Sequence, residues 1–521
     1  CGGPPPPMNP PDYSIDDLQR LFESGETNAA AVCEAYLARI EAVDRNGPTL
    51  RALVELNPDA LDTARALDAE RAGRGPRGPL HGVPLVVKDS IDTGDQMMTT
   101  GGSLALVGNR APADAFAVAA LRKAGAVILG KSNMSEWGYF RSSRPVSGWS
   151  SRGGQTRNPY VLDRTPGGSS SGSGAAVAAN LCVGALGAEV DGSVVHPSSM
   201  CGLVGLKPTV GLVSRSGVMG ICEPQDTLGP MARTVTDLAI LLSVIAGPDP
   251  EDPRSAGGAR HARTEYRQAL DPSGLEGARI GVVNDYFGFH EGTDAVVEHA
   301  IETMAGLGAT IVRDVSLGSH QLLSNEELVM CLHTFKVQTN RYLAEHPASP
   351  ARTLDDVIAF NRENVDRVMP FFGQEVLEQA NATSGLDAEA YLDARETCRR
   401  QSRDDGIDAA MKTHQLDALV APTTGTPAFA IDLIAGDKIL GGCFPMPAMA
   451  GYPHLTMPGG YVSHLPVGVS LFSGPYREPD LLRYAFALEQ ALPQRRAPEF
   501  LPSIPLGEPS TRLIRNRRSE K

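Results

Sequence analysis

The spacing of apolar positions predicts most of the elements. Val32, Tyr36, Leu37 and Ile40 recur at the three- and four-residue spacing of one helical face and predict a helix over 29–43. A shorter helix is expected before it, over 14–22. Ser14 is its cap, and Asp16 and Asp17 stand in its first turn, where unpaired N–H groups favour negative charge. A third helix is expected over 58–72. Residues 83–87 form an unbroken apolar run of strand length and predict a short buried strand. Beyond it helix and strand alternate. Helices at 115–124, 175–180 and 294–307 precede strands at 126–129, 183–186 and 310–315. Strands at 419–421 and 467–472 and a helix at 480–491 close the pattern. Such alternation argues for an α/β fold around a central sheet. The stretch 325–413 is helical and charged, and breaks this rhythm. It reads either as a cap that shapes a substrate pocket or as a plain structural insertion. Residues 1–13 read as a flexible Pro-rich leader, 14–500 as the folded body and 501–521 as a tail.

Composition narrows the function classes. With 521 residues, 42% of them hydrophobic, the chain can bury a large core, and length alone allows two to four domains. No apolar run reaches the roughly 18 residues of a membrane span. The net charge is -14, and the one basic cluster lies in 512–521, so no nucleic-acid partner is expected. The eight cysteines form no CxxC pair and the eleven histidines no HExxH, which argues against a metal hydrolase. Most of the cysteines read as small buried hydrophobes. Cys1 is different. A leading cysteine before Gly2, Gly3 and four prolines looks like a mature bacterial lipoprotein. Its diacylated form would anchor the chain to a membrane, in the cell envelope or periplasm. The alternative is a true start at Met8 and a cytoplasmic protein.

Chemistry concentrates in two segments. Lys88 ends the apolar run 82–87, where burial would disfavour its charge and make it a base near neutral pH. A neutral lysine can draw a proton from a serine. Residues 167–174 form a Gly/Ser tract, followed by Asp191-Gly192-Ser193. The tract is no phosphate loop, because no lysine follows its glycines, and no strand leads into it as a dinucleotide fingerprint requires. Residues 168–172 do satisfy GxSxG, which would make Ser170 a nucleophile at an elbow. That reading lacks a leading strand, and its late partners, Asp417 and His454, stand in no recognisable context.

The whole span reads better. Residues 167–174 and 187–193, then 197–209 and 229–234, resemble the signature of the amidase signature family. Residues 82–92 resemble its lysine segment and 416–424 its C-terminal strand, and the likeness runs from Ser14 to about Pro498. Within the family, Ser147 to Tyr160, Asp191 and Lys207 to Arg215 resemble bacterial peptide amidases. The resemblance implies the amidase-signature fold, a central mixed sheet covered by helices on both faces. It implies that Ser193 is the nucleophile, that Ser169 bridges Ser193 and Lys88 and follows a cis peptide bond, and that Lys88 is the base. It further implies an oxyanion hole of backbone N–H groups from Val190, Asp191, Gly192 and Ser193, with no cofactor and no metal. Asp191 stands where most members carry glycine, so its carboxylate is expected to repel a substrate carboxylate and favour capped amides. Glu189 replaces a usual aspartate as a supporting group, His196 is expected to be structural, and Asn158 and Asp226 to fix loops. The implied activity is hydrolysis of carboxamides, foremost C-terminal amides of peptides or related acyl amides, to an acid and ammonia through an acyl-enzyme. Two alternatives stand beside it: the A-type subunit of an amidotransferase that feeds ammonia to an acylated tRNA, and a solute-binding lipoprotein.

Overall fold

A computed structural model describes residues 12–318 and 323–505. The expectation for Cys1 therefore lies outside the described residues, as do most of the leader and the tail beyond 505. The other seven cysteines are all buried free thiols.

In chain order the strands are β1 (Leu53–Leu56), β2 (Pro84–Lys88), β3 (Val127–Ser132), β4 (Trp149–Ser150), β5 (Gly154–Gln155), β6 (Gly184–Glu189), β7 (Val204–Lys207), β8 (Thr227–Ala232), β9 (Arg279–Val283), β10 (Thr310–Val315), β11 (Ala418–Pro422), β12 (His454–Val462) and β13 (Leu465–Phe472). β4 and β5 form a small ribbon. The other eleven make one sheet in the order β1-β3-β2-β6-β8-β7-β12-β13-β11-β9-β10. It is mixed and flanked by helices. β2 lies parallel to β3 and β6, and β9 parallel to β10 and β11, while β8, β7, β12 and β13 join these two blocks by antiparallel pairing.

Local chemistry explains the elements. The first helix, Ile15–Ser24, opens with a capping box in which Asp17 N–H donates to Ser14 Oγ and Ser14 N–H donates back to the Asp17 carboxylate. β2 and β3 are buried at every position, as strands covered on both faces are, and their first residues, Pro84 to Val87 and Val127 to Leu129, read as short apolar runs. The second helix is α-helical only over Ala29–Arg39 and widens into a π-turn at Ile40–Arg45. β7, β8, β9 and β12 were not expected. β8 carries Gly229 and Pro230, and β12 carries Pro458, Gly459 and Gly460 at a break in register with β13. Proline and glycine in a strand disguise it in sequence, and here they fall at antiparallel joints.

Between Leu323 and His414 the described chain contains helices and no strand. Arg141 ties this excursion to the body. Its fully buried guanidinium pairs with Glu136 at 3.1 Å, donates to the carbonyls of Val368 at 2.8 Å, Phe372 at 3.0 Å and Gly373 at 3.1 Å, and lies over the rings of Trp149 and Phe372. Burial of a charge is tolerated where it is paired and bonded to this extent. Among the described residues no helix is long and apolar enough to cross a membrane.

Candidate active site

The ends of β2 and β6 lie side by side, and between them sits a connected set of polar groups. Val87 is paired with Leu186, so the next residue, Lys88, projects beside the end of β6. Its Nζ donates to Ser169 Oγ at 2.8 Å and to the carbonyl of Ala188 at 2.8 Å. Ser169 Oγ in turn donates to Ser193 Oγ at 2.9 Å. Lys88 and Ser169 are each 2% exposed and Ser193 7%. Burial pushes the Lys88 ammonium down from 10.5 to about 7, against an opposing pull from the carboxylates of Glu189 and Asp226. At neutral pH a large share of the amine is therefore uncharged and has a lone pair to offer.

The backbone around each serine is shaped by close packing. The Gly168–Ser169 peptide bond is cis. Ser169 immediately precedes the Ser170 N-cap of the helix Ser171–Ala178, and its carbonyl accepts from Ser135 N–H at 3.1 Å. Gly167 has a φ of 73°, and a Cβ there would lie 2.8 Å from the backbone of Pro197. His196 Nδ1 accepts from Gly168 N–H at 3.4 Å, and its ring stacks on Phe444. Burial lowers this imidazole to about 4, so it stays neutral and braces the turn. Gly192 has a φ of 75°, and a Cβ there would meet the Phe444 ring at 2.7 Å.

Ser170 is not placed to attack anything. It is fully buried, its Oγ donates to the Ala188 carbonyl at 3.2 Å, and it accepts from Ala188 N–H at 3.3 Å. The elbow reading also loses its late partners. Asp417 accepts from Arg279 N–H, and His454 is buried beside Cys443 and Ser470. Asn158 binds the carbonyls of Thr165 and Met200, both at 2.9 Å. Asp226 accepts from the N–H groups of Ile221 and Cys222 and from Gln338 Nε2. Both thus fix loops.

The turn after β6 differs from its expected form in two respects. The Gly192 N–H donates to Glu189 Oε1 at 2.9 Å, so it is already committed and leaves the expected oxyanion set. Among the described residues the N–H groups of Val190, Asp191 and Ser193 have no partner. The Asp191 carboxyl does not line the cavity beside Ser193. It turns instead toward Glu327. Burial first, then the charges of Glu327 and Glu189, raise it well above the usual carboxylate range. Its carboxyl group thus stands away from the cavity in which a substrate would lie.

Glu189 does more than its sequence reading allowed. Besides Gly192 it accepts from Val194 N–H at 2.6 Å and Val195 N–H at 3.1 Å, the start of the helix Val195–Met200. One carboxylate thus holds the backbone on both sides of Ser193. Burial raises its pKa, while the fully buried Lys207 and the three N–H groups pull it back. Lys207 had no signal in the sequence beyond opening a segment that resembles peptide amidases. Charge-assisted bonds of this kind contribute about 1.5–3 kcal/mol each. Glu189→Ala is expected to lower kcat/KM by about 100-fold, with a smaller loss for Glu189→Gln, read from steady-state kinetics beside a thermal melt.

A cavity of about 650 Å³ opens over Lys88, Ser169 and Ser193. Met134, Trp137, Met219, Ile221 and Phe335 form one wall, and Arg215, Glu223, Asp252, Arg254, Arg341 and Glu345 surround its mouth. Sequence alone gave no hint of Phe335. It comes from the long helix Leu323–Glu345, whose place is set by packing against the helices Glu375–Asn381 and Glu389–Arg399.

Comparison with known proteins finds relatives along nearly the whole chain. The family model described as Amidase matches residues 31–482. A probable amidase of Arabidopsis thaliana is 39% identical over 500 residues, covering 94% of this chain and 92% of that one. The A-type subunit of the glutamyl-tRNA(Gln) amidotransferase of Symbiobacterium thermophilum is 37% identical over 492 residues, 92% of this chain and 97% of that one. Among solved structures, the native peptide amidase of Stenotrophomonas maltophilia superposes with a TM-score of 0.91 at 47% identity, over 94% of this chain and 99% of that one.

Proposed function

This chain belongs to the amidase family and is an amide-hydrolysing enzyme, and from that premise we propose that Lys88, Ser169 and Ser193 carry the reaction as one proton relay. The observation that carries this reading is the unbroken contact from a buried amine through one hydroxyl to another, 2.8 and 2.9 Å long. Neutral Lys88 takes the Ser169 proton as Ser169 takes the proton of Ser193. The freed Oγ of Ser193 forms a bond to the carboxamide carbon. The oxyanion is held by the N–H groups of Val190, Asp191 and Ser193, each of which typically contributes about 3–4 kcal/mol to such a barrier. The proton returns through Ser169 to the amide nitrogen, the C–N bond breaks, and ammonia leaves. Water then takes the place of Ser193 on the acyl group by the same route, and the acid departs.

The substrate we assign is a small-molecule or peptide amide, foremost the C-terminal carboxamide of a peptide. The solved relative described as a peptide amidase, also determined with the competitive inhibitor chymostatin, supports this class. The amidotransferase reading has a relative of its own. Yet glutamine carries an ammonium and a carboxylate close to its side-chain amide, and the wall next to the relay is apolar. A solute-binding protein has no use for a lowered lysine joined to two serines.

An ammonia-release screen over peptide amides, aliphatic amides, anilides and free glutamine tests the assignment. Peptide amides are expected to lead, with free glutamine at least about 100-fold lower in kcat/KM. Glutamine as the best substrate would return the protein to the amidotransferase class.

A further inference from the structure

We propose that Met219 and Ile221, backed by Trp137 and Phe335, form the subsite for the side chain next to the scissile carboxamide, and that it selects a large apolar or aromatic group. The inference rests on the hydrolase reading above and goes further, to the acyl side of the substrate.

The geometry points to this wall because it begins at the relay. Gly138 lies beside Ser169: a Cβ on Gly138 would stand 3.8 Å from Ser169 Oγ and 2.3 Å from Ile221 Cδ1. Ile221 thus reaches to within one residue's width of the bridging serine. Met219 continues the wall. Its Cε would lie 3.3 Å from a Cβ on Gly101, and the Trp137 ring would lie 3.8 Å from the same point. Met219 and Ile221 are only partly buried and face the cavity, whereas Trp137 and Phe335 are 4% and 1% exposed. The two rings meet edge to face at 5.9 Å, and Phe140 lies 5.1 Å from Phe335. A rigid aromatic backing thus carries two flexible aliphatic contacts, a composition that suits a flat or branched apolar group.

The wall is also held in place. Met219 N–H donates to the Ser90 carbonyl at 2.9 Å, Ile221 N–H donates to Asp226, and the Ile221 carbonyl accepts from Thr334 Oγ1 at 3.0 Å. The loop is therefore pinned to the turn that follows β2, to the residue just before β8 and to the long helix. Charged pairs also line the cavity. There Arg215 is paired with Asp252 at 2.6 Å and Arg254 with Glu223 at 2.8 Å. A substrate with its carboxamide at Ser193 has apolar surface against its first side chain and a hydrated, charged rim beyond it, as an extended peptide requires.

The test uses the full chain and three probes: the amides of N-acetyl-phenylalanine, N-acetyl-leucine and N-acetyl-glycine. Wild type is expected to prefer the phenylalanine amide over the glycine amide by at least about 30-fold in kcat/KM. The Met219→Ala/Ile221→Ala double variant is expected to reduce that ratio to below about 5, and Ile221→Val alone by about two- to threefold. Wild-type rates within about threefold for all three amides would overturn the subsite and leave the hydrolase reading intact, and so would a ratio unchanged in the double variant. Should none of the three release ammonia, the peptide-amide reading itself fails, and the subsite with it.

Discussion

Ser193→Ala is expected to lower kcat/KM for a carboxamide by about 10⁴-fold or more, and to abolish labelling by a fluorophosphonate probe. Removing the nucleophile of a serine relay leaves only what binding and oxyanion contacts supply, and such losses run at about 10⁴–10⁶-fold. Ser170→Ala is the informative partner. Among the described residues its hydroxyl bonds only to the Ala188 peptide, whose carbonyl also receives Lys88 Nζ. Its loss loosens that support without removing a reacting atom, so a fall of about tenfold or less is expected, with labelling retained. The reverse pattern, Ser170→Ala inert and Ser193→Ala active, would transfer the chemistry to the GxSxG elbow.

The second expectation concerns pH. Lys88 must be uncharged to accept a proton, and its pKa lies at about 7. Turnover of an uncharged amide should therefore rise with pH through neutrality and level off, standing about tenfold lower at pH 6 than on the plateau. The same displacement has a stability sign. An unfolded lysine titrates near 10.5 and the folded one near 7. Between those values the unfolded chain holds a proton that the folded chain has released, so raising pH through that window favours the fold. Below pH 7 both states hold the proton, and the folded state bears the whole cost of a buried charge, on the order of 3–5 kcal/mol. Lys88→Met is thus expected to be inactive yet more stable. The pH-dependent part of its gain should be greatest below pH 7 and gone above about 10.5, as read from denaturant midpoints across pH. A rate that stays flat from pH 5.5 to 8.5, or a Lys88→Met protein with wild-type turnover, would remove Lys88 from the relay.

The site was more legible in sequence than the sheet around it. Lys88, Ser169 and Ser193 stand in short, distinctive contexts, and the structure puts their side chains in contact. The N–H of Gly192 was misassigned because backbone direction depends on which carboxylate reaches it, and the reach of Glu189 is a tertiary fact. The Asp191 carboxyl was given a role toward substrate because it stands where most family members carry glycine, but the turn after β6 leaves it off the cavity lining and near Glu327. β2, β3 and β6 were legible as buried apolar runs. β8 and β12 were not, because Pro230, Pro458 and the paired glycines 459–460 are tolerated only by their antiparallel partners. Phe335 and Met219 come together from elements far apart in the chain, and no local pattern marks either as part of a shared wall.

The order of strands has a consequence for synthesis. β12 and β13, made late, stand at the middle of the sheet, between β7 and β11. A chain leaving the ribosome completes Lys88, Ser169 and Ser193 early, but the outer side of β7 stays bare until residue 454 has emerged. Exposed strand edges recruit wrong partners. During that interval the nascent protein has every reacting group and an unprotected flank, so a ribosomal stall before β12 would release a product prone to aggregate.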